Sequence, residues 1–289
     1  MDEQDVVRQA HSFLNGLDLS NIRDDLGPYL AKVAARVRKE NLLPRESGTV
    51  AEIKGKTVIT VNENESDERQ RFTICHELGH KILGLPSSHQ HVPQWGYAKR
   101  DSNEVFCDIF AAELLMPHEQ FKQAARHLEP SLRTIETLMD AFKTSFPATA
   151  SRFARLADSP CVFVTMESGW VKYAAFSTPL RAMGAKITFK SPIPTESIAA
   201  QLRASGSSDY REGYVAQDVW LENWQSGLEL NELSRHHASS DTTLSLLWFD
   251  PEDAPKIEVD RYGRVVAEDD ELQELTGELP WPGSSKRKR

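Results

Sequence analysis

The chain has 289 residues, 39% hydrophobic and 27% charged, a balance that supports a sizeable core and excludes wholesale disorder. Lys and Arg number 34 against 43 Asp and Glu, for a formal charge of −9; no broad positive field is available to grip a phosphate backbone, so direct DNA binding is disfavoured. The length suits about two domains of ordinary size. The first residues, Met1-Asp2-Glu3-Gln4, are acidic where a secretory leader is basic, and no apolar run approaches the roughly 18 residues needed to cross a bilayer. A cytoplasmic protein with no membrane partner is expected. Cys75, Cys107 and Cys161 form no Cys-x-x-Cys pair and read as small buried hydrophobes.

Taken in order, residues 5 to 40 place apolar side chains at helical spacing, Val6, Ala10, Phe13 and Leu14 first and Leu30, Val33 and Val37 next, which predicts two helices. Val50 to Ile53 and Thr57 to Val61 flank Lys54-Gly55-Lys56 as a hairpin, and Thr57 to Val61 is a candidate edge for an extended substrate segment. Asp67 and Gln70 form a capping pair, and Gly84 and Pro86 a stop, for a helix over 68 to 83. Pro86 to Arg100 is aperiodic and reads as a loop, and Asn103 to Met116 is helical until Pro117. Residues 131 to 157 predict two short helices broken at Thr144-Ser145-Phe146-Pro147. Past a boundary near Ser159 the texture turns to strands: Cys161 to Met166 and Trp170 to Phe176 about Ser168-Gly169, then Lys186 to Lys190 and Leu244 to Phe249, with a helix over Pro194 to Ala204. The end is acidic, then Pro- and Gly-rich, then Lys286-Arg287-Lys288-Arg289, a tail composition.

Within the third predicted helix stands His76-Glu77-Leu78-Gly79-His80. A spacing of four puts both imidazoles on one helix face, where they can converge on one ion, and Glu77 falls one step round, within reach of water at that ion as a general base. Zinc suits two imidazoles and a third protein ligand with a fourth position open; manganese or iron(II) would also fit. A metzincin continuation would need glycine at 83 and histidine at 86, but Leu83 and Pro86 stand there. Glu104 and Asp108, again four apart, supply carboxylates from the next helix, one able to bind metal and the other to steer a ligand histidine. His89 and His91, in the polar loop, read as solvated, and His236 and His237 as structural or exposed rather than near the metal. An oxyanion donor, a Tyr, His or Arg such as Tyr97, Tyr173, His236 or others, stays unassigned.

The Glu-x-x-x-Asp pair resembles the ligand helix of thermolysin-like proteases, which implies Glu104 as the third ligand and Asp108 as acceptor of the His76 Nδ1 proton. The run Arg71 to His80, followed by Glu104 and by Phe110-Ala111-Ala112-Glu113-Leu114-Leu115-Met116-Pro117, resembles the ImmA/IrrE family of metallo-endopeptidases over residues 45 to 120. Phe153, Ala154 and Leu156 fit the helical segment that follows in that family, and Leu244 to Phe249 resembles a strand of the GAF-like third domain of its IrrE-type members. The resemblance implies an α+β fold: a zincin-like metallopeptidase domain over 1–125 with a small antiparallel sheet, a helix-turn-helix-like segment over 126–158, and an α+β GAF-like sensor domain over 159–267, with 268–289 a flexible tail. It implies a zinc-dependent, gluzincin-like endopeptidase that cleaves a helix-turn-helix repressor of the XRE type and so switches on a stress or mobile-element response. Family members usually carry Ala-Asn where this chain has Cys107-Asp108, which keeps an acceptor but changes the charge beside the site. Two other readings compete: a metal-stapled transcriptional regulator acting through residues 131 to 157, and a ligand sensor built on Trp170, Tyr173, Trp220, Trp224 and Trp248.

Overall fold

Asp2 and Asp5 form a capping box that starts helix α1 (Glu3–Leu14), and Val6, Ala10, Phe13 and Leu14 bury along one stripe as their spacing predicts. This structure is a computed structural model, and it describes residues 1–20, 22–43, 46–86, 102–222 and 228–250. The second predicted helix is cut short. Helix α2 spans only Gly27–Lys32; Ala34 turns left-handed at φ 52, and Ala35–Glu40 extends as strand β1. Its exposed Arg36 and Arg38 alternate with half-buried Ala35 and Val37, a period of two that suits a strand laid against a partner.

That partner is β3 (Lys56–Asn62), paired in parallel from Ala35↔Thr57 to Glu40↔Asn62. On the other side of β3 lies β2 (Gly48–Ile53), antiparallel and joined to it through the expected turn at Lys54-Gly55. The order β1-β3-β2 makes the sheet mixed and puts β3 in its centre. The expected edge at Thr57 to Val61 is therefore corrected: both sides of that strand are bonded, and β2 is an edge.

Helix α3 (Asp67–Leu83) starts one residue earlier than expected, because Ser66 accepts from the Arg69 N–H. The Asp67–Gln70 capping pair does not form; Gln70 instead donates Nε2–H to the Glu65 carbonyl at 2.7 Å. Helix α4 (Ser102–Leu115) packs along α3, followed by α5 (His118–Ala125), α6 (Leu132–Phe142) and α7 (Phe146–Leu156). The predicted break between the last two falls where Lys143 turns left-handed and Ser145 precedes the new helix.

A second sheet follows. Strands β4 (Cys161–Glu167) and β5 (Trp170–Phe176) form the expected hairpin. Helices α8 (Thr178–Ala182) and α9 (Ile198–Ser205), strand β6 (Tyr210–Ala216), helix α10 (Gln217–Trp220) and strands β7 (Glu229–His237) and β8 (Thr242–Trp248) complete an antiparallel sheet of order β5-β4-β8-β7-β6. Lys186 to Lys190 does not form the predicted strand: Lys186 makes one isolated bridge to Glu222, Phe189 is exposed, and Lys190 turns left-handed so that the following residues fold back on β5. The predicted helix from Pro194 begins only at Ile198, where Ser197 accepts from the Ala200 N–H.

One core runs from Val6 and Phe13 through Phe110, Phe153 and Phe163 to Leu246 and Trp248, crossing position 159. A second lies on the opposite face of the larger sheet under α8, α9 and α10, around Leu202, Trp220 and Phe249. Met1–Ala254 forms one compact unit. The tail at 268–289 and the loop histidines His89 and His91 lie outside the described residues, as do Tyr97 and Trp224.

Candidate metal centre

Helix α3 presents His76 and His80 to α4, and α4 answers with Glu104 and Asp108. The two helices approach closely because Gly79 has no side chain: a Cβ there would lie 3.2 Å from Cys107 Cα and 3.4 Å from its carbonyl oxygen. That glycine, between the histidines, lets both carboxylates of α4 reach them.

Glu104 meets both rings, Oε2 at 3.1 Å from His76 Nε2 and Oε1 at 3.5 Å from His80 Nε2. The two Nε2 atoms are themselves 3.1 Å apart, and the donor atoms of all three residues lie within 4.8 Å of one another. Asp108 Oδ1 stands 2.9 Å from His76 Nδ1, and the Leu85 carbonyl 3.3 Å from His80 Nδ1. A carbonyl and a carboxylate can only accept, so each Nδ1 carries a proton in this arrangement. With Nδ1 protonated in each ring, both Nε2 atoms and the anionic carboxylate face one point, and a metal ion there would be met by two imidazole lone pairs and a carboxylate oxygen. The set fits zinc in type and number, two nitrogens and a carboxylate.

Electrostatics agree. Burial disfavours the charged form of His76, but hydrogen bonds to Asp108 and Glu104 and the charges of Asp108 and Glu77 outweigh it and lift its pKa to about 9. For Glu104 burial acts upward, yet the hydrogen bonds and charges of His76 and His80 hold the carboxyl well below the usual carboxylate range. Surroundings that favour a proton among these groups favour a metal cation there for the same reason. Glu77 is 4% exposed, a buried carboxylate next to the ligand set. Burial pushes the Cys75 thiol up to about 12 and raises Cys107 as well, helped by the charges of Glu104 and Asp108. Both are inert core thiols, as expected.

The structure thus brings together His76, Glu77, His80, Glu104 and Asp108, every site residue expected from sequence. Tyr173 and His236 are engaged elsewhere: Ser151 and Arg155 hold the Tyr173 hydroxyl, and His236 Nδ1 meets Thr243 at 2.9 Å. Two features were not anticipated. One is the Leu85 carbonyl, which no side-chain pattern could announce. The other is Glu113, 4% exposed, which takes a two-pronged bond from Arg152 (2.5 and 2.8 Å) and lies 3.3 Å from His11. Arg152 also donates to the Met116 carbonyl, so the pair ties α7 to the end of α4. A charge inside the apolar run Phe110 to Met116 was the available signal.

Residues 32–154, which include this site, match the family model described as the IrrE N-terminal-like domain, Peptidase_M78. This segment is similar to an IrrE N-terminal-like domain. Among curated proteins, the chain is 25% identical over 179 residues to the radiation response metalloprotease IrrE of Deinococcus radiodurans, covering 55% of each chain. It is 32% identical over 100 residues to the Deinococcus deserti protein of that name, covering 34% of this chain and 35% of the other. The chain thus spans about half the length of the first relative and about a third of the second. Among solved structures it resembles a Mycobacterium tuberculosis transcriptional regulator, with a TM-score of 0.52 and 14% identity over 86% of this chain and 76% of that one. That likeness shows shared fold alone.

Proposed function

We propose that the chain is a zinc-dependent endopeptidase in which His76, His80 and Glu104 hold the ion and Glu77 is the general base. The observation that carries this reading is the convergence of two Nε2 atoms and the Glu104 carboxylate, with each Nδ1 facing an acceptor elsewhere. When bound, zinc supplies Lewis acidity, acidifying water and polarising a peptide carbonyl. Glu77 takes the proton of the attacking water and passes it to the leaving amine nitrogen. Its burial keeps bulk water from competing for that proton. Asp108 holds His76 in the tautomer that offers Nε2.

The substrate runs along β2. Its outer edge is open among the described residues, and a cleft of about 500 Å³ between β2 and the end of α3 is lined by Val50, Glu52, Thr57, His80, Lys81 and Leu85. An extended segment can add to such an edge through main-chain bonds while its side chains enter the cleft. The reading of a helix-turn-helix repressor as the protein cleaved, in the cytoplasm, rests on the family resemblance and on two relatives named as radiation response metalloproteases. The divisions near 125 and 158, and a GAF-like sensor role for the half beyond 159, belong to the same proposal.

A regulator that binds DNA through α6 and α7 is the weaker reading. Helix α7 packs against α5, α6, β4 and β5, and Arg155, its exposed cation, holds the Tyr173 hydroxyl. The test is cleavage of a helix-turn-helix repressor encoded near this protein by the zinc-loaded wild type and by Glu77→Gln, with metal content measured for both. We expect cleavage by the wild type and a loss of about 10²-fold or more in the metal-loaded variant. Repressor binding without cleavage by either protein would turn the reading toward a metal-stapled regulator.

A further inference from the structure

The two imidazoles are oriented by different means. His76 gives its Nδ1 proton to a side chain on α4, whereas His80 gives its own to the main-chain carbonyl of Leu85, two residues beyond the end of α3. That carbonyl is aimed by a helix cap. Gly84 is left-handed at φ 67, ψ 30, and its N–H returns to the His80 carbonyl, as does the Leu85 N–H at 3.0 Å. His80 is therefore clasped twice by one turn, at its main-chain oxygen and at its ring. Pro86 follows, and a proline restricts the residue before it to extended conformations, which limits how the Leu85 carbonyl can swing. A Cβ at Gly84 would meet nothing within 4 Å, so glycine is required there for its backbone conformation and not for space. The His80 side chain is 1% exposed, which leaves little room for water to replace the carbonyl as the partner of Nδ1.

We propose that Gly84-Leu85-Pro86 is a positioning element of the metal centre, in which the left-handed cap directs the Leu85 carbonyl onto His80 Nδ1 and so keeps Nε2 as the lone pair offered to the ion. The inference rests on the zinc reading above. It makes the two ligand histidines unequal: His76 is backed by a carboxylate, His80 by a neutral carbonyl, so His80 is the weaker donor and depends more on the geometry of its turn.

The experiment uses the full chain and zinc alone. The zinc dissociation constant is measured by chelator competition for wild type, Gly84→Ala, Gly84→Asn, Pro86→Ala and Glu104→Ala. Thermal melting of each metal-free protein is followed alongside, and a nitrogen–proton spectrum of the imidazoles identifies which His80 nitrogen is protonated. Alanine is penalised in the left-handed region and asparagine far less, so Gly84→Ala should weaken zinc binding about tenfold and Gly84→Asn should restore most of it. Pro86→Ala should fall between, and the His80 Nδ1 proton signal should weaken or shift in Gly84→Ala. If Gly84→Ala lowers the metal-free melting temperature but leaves zinc affinity and the His80 signal as in wild type, the turn is a helix stop and the inference is overturned. If wild type binds zinc no more tightly than Glu104→Ala, the metal reading itself falls and the inference falls with it.

Discussion

Asp108 offers the sharpest test of how the site is held. It sits 2.9 Å from His76 Nδ1 with its side chain 16% exposed, so its bond to the imidazole is largely sheltered from water. Asp108→Asn keeps an acceptor oxygen at that distance and removes the charge. A charge-assisted hydrogen bond contributes about 1 kcal/mol more than a neutral one, and that difference corresponds to roughly a fivefold loss of zinc affinity. Asp108→Ala removes the acceptor altogether, frees the ring to choose either tautomer and should cost about 10 to 100-fold. Chelator competition on the full chain, at one pH for all three proteins, reads both effects, and denaturation of the metal-free proteins checks that the fold is retained. Zinc affinity should fall in the order wild type, then asparagine, then alanine. Asparagine as damaging as alanine would mean that charge alone matters and the tautomer does not; alanine equal to wild type would remove Asp108 from the site.

The buried pair Glu113–Arg152, with side chains 6% and 12% exposed, should behave asymmetrically. Either Glu113→Ala or Arg152→Ala leaves an uncompensated buried charge and should lose about 3–5 kcal/mol in urea denaturation, while Glu113→Leu combined with Arg152→Met should recover much of it. In the second half of the chain, fully buried Glu232 accepts from four donors: the Ile198 and Ala199 N–H groups, Trp220 Nε1 and the Ser234 hydroxyl. Glu232→Ala should cost at least about 3 kcal/mol and shift Trp220 emission, whereas an unchanged emission spectrum would show that the indole does not depend on that carboxylate.

The candidate site was legible because a helix converts a spacing of four into a shared face whatever surrounds it, and His76, His80, Glu104 and Asp108 all depend on that conversion. Hairpins at Lys54-Gly55 and Ser168-Gly169 were legible for a similar reason, since the turn residues and the alternating runs beside them are adjacent in the chain. Strand β1 was not. Its partner is β3, in parallel and beyond an intervening strand, and the spacing of Leu30, Val33 and Val37 satisfies a helix as well as it does a loop and a strand. Only the left-handed turn at Ala34 decides between them, and alanine carries no local signal for it.

Strand β7 shows a deeper limit. Asn231, Glu232, Ser234 and His236 are all buried there, so a reading that equates burial with hydrophobicity passes over it. Each finds a partner only in the folded chain: Asn231 with Asp250, Glu232 with the start of α9 and Trp220, Ser234 with Ser245, His236 with Thr243. Such a strand is stable because every polar group it buries is bonded, and leaving any one unmet costs more than an apolar residue would have gained. The cations of α7 also find partners within the fold. A recognition helix must present its polar face to a groove, but Arg152 turns inward to Glu113 and Arg155 is bonded to Tyr173 on β5. Helix α7 joins the helices that follow the candidate site to the sheet, packing against α5, α6, β4 and β5.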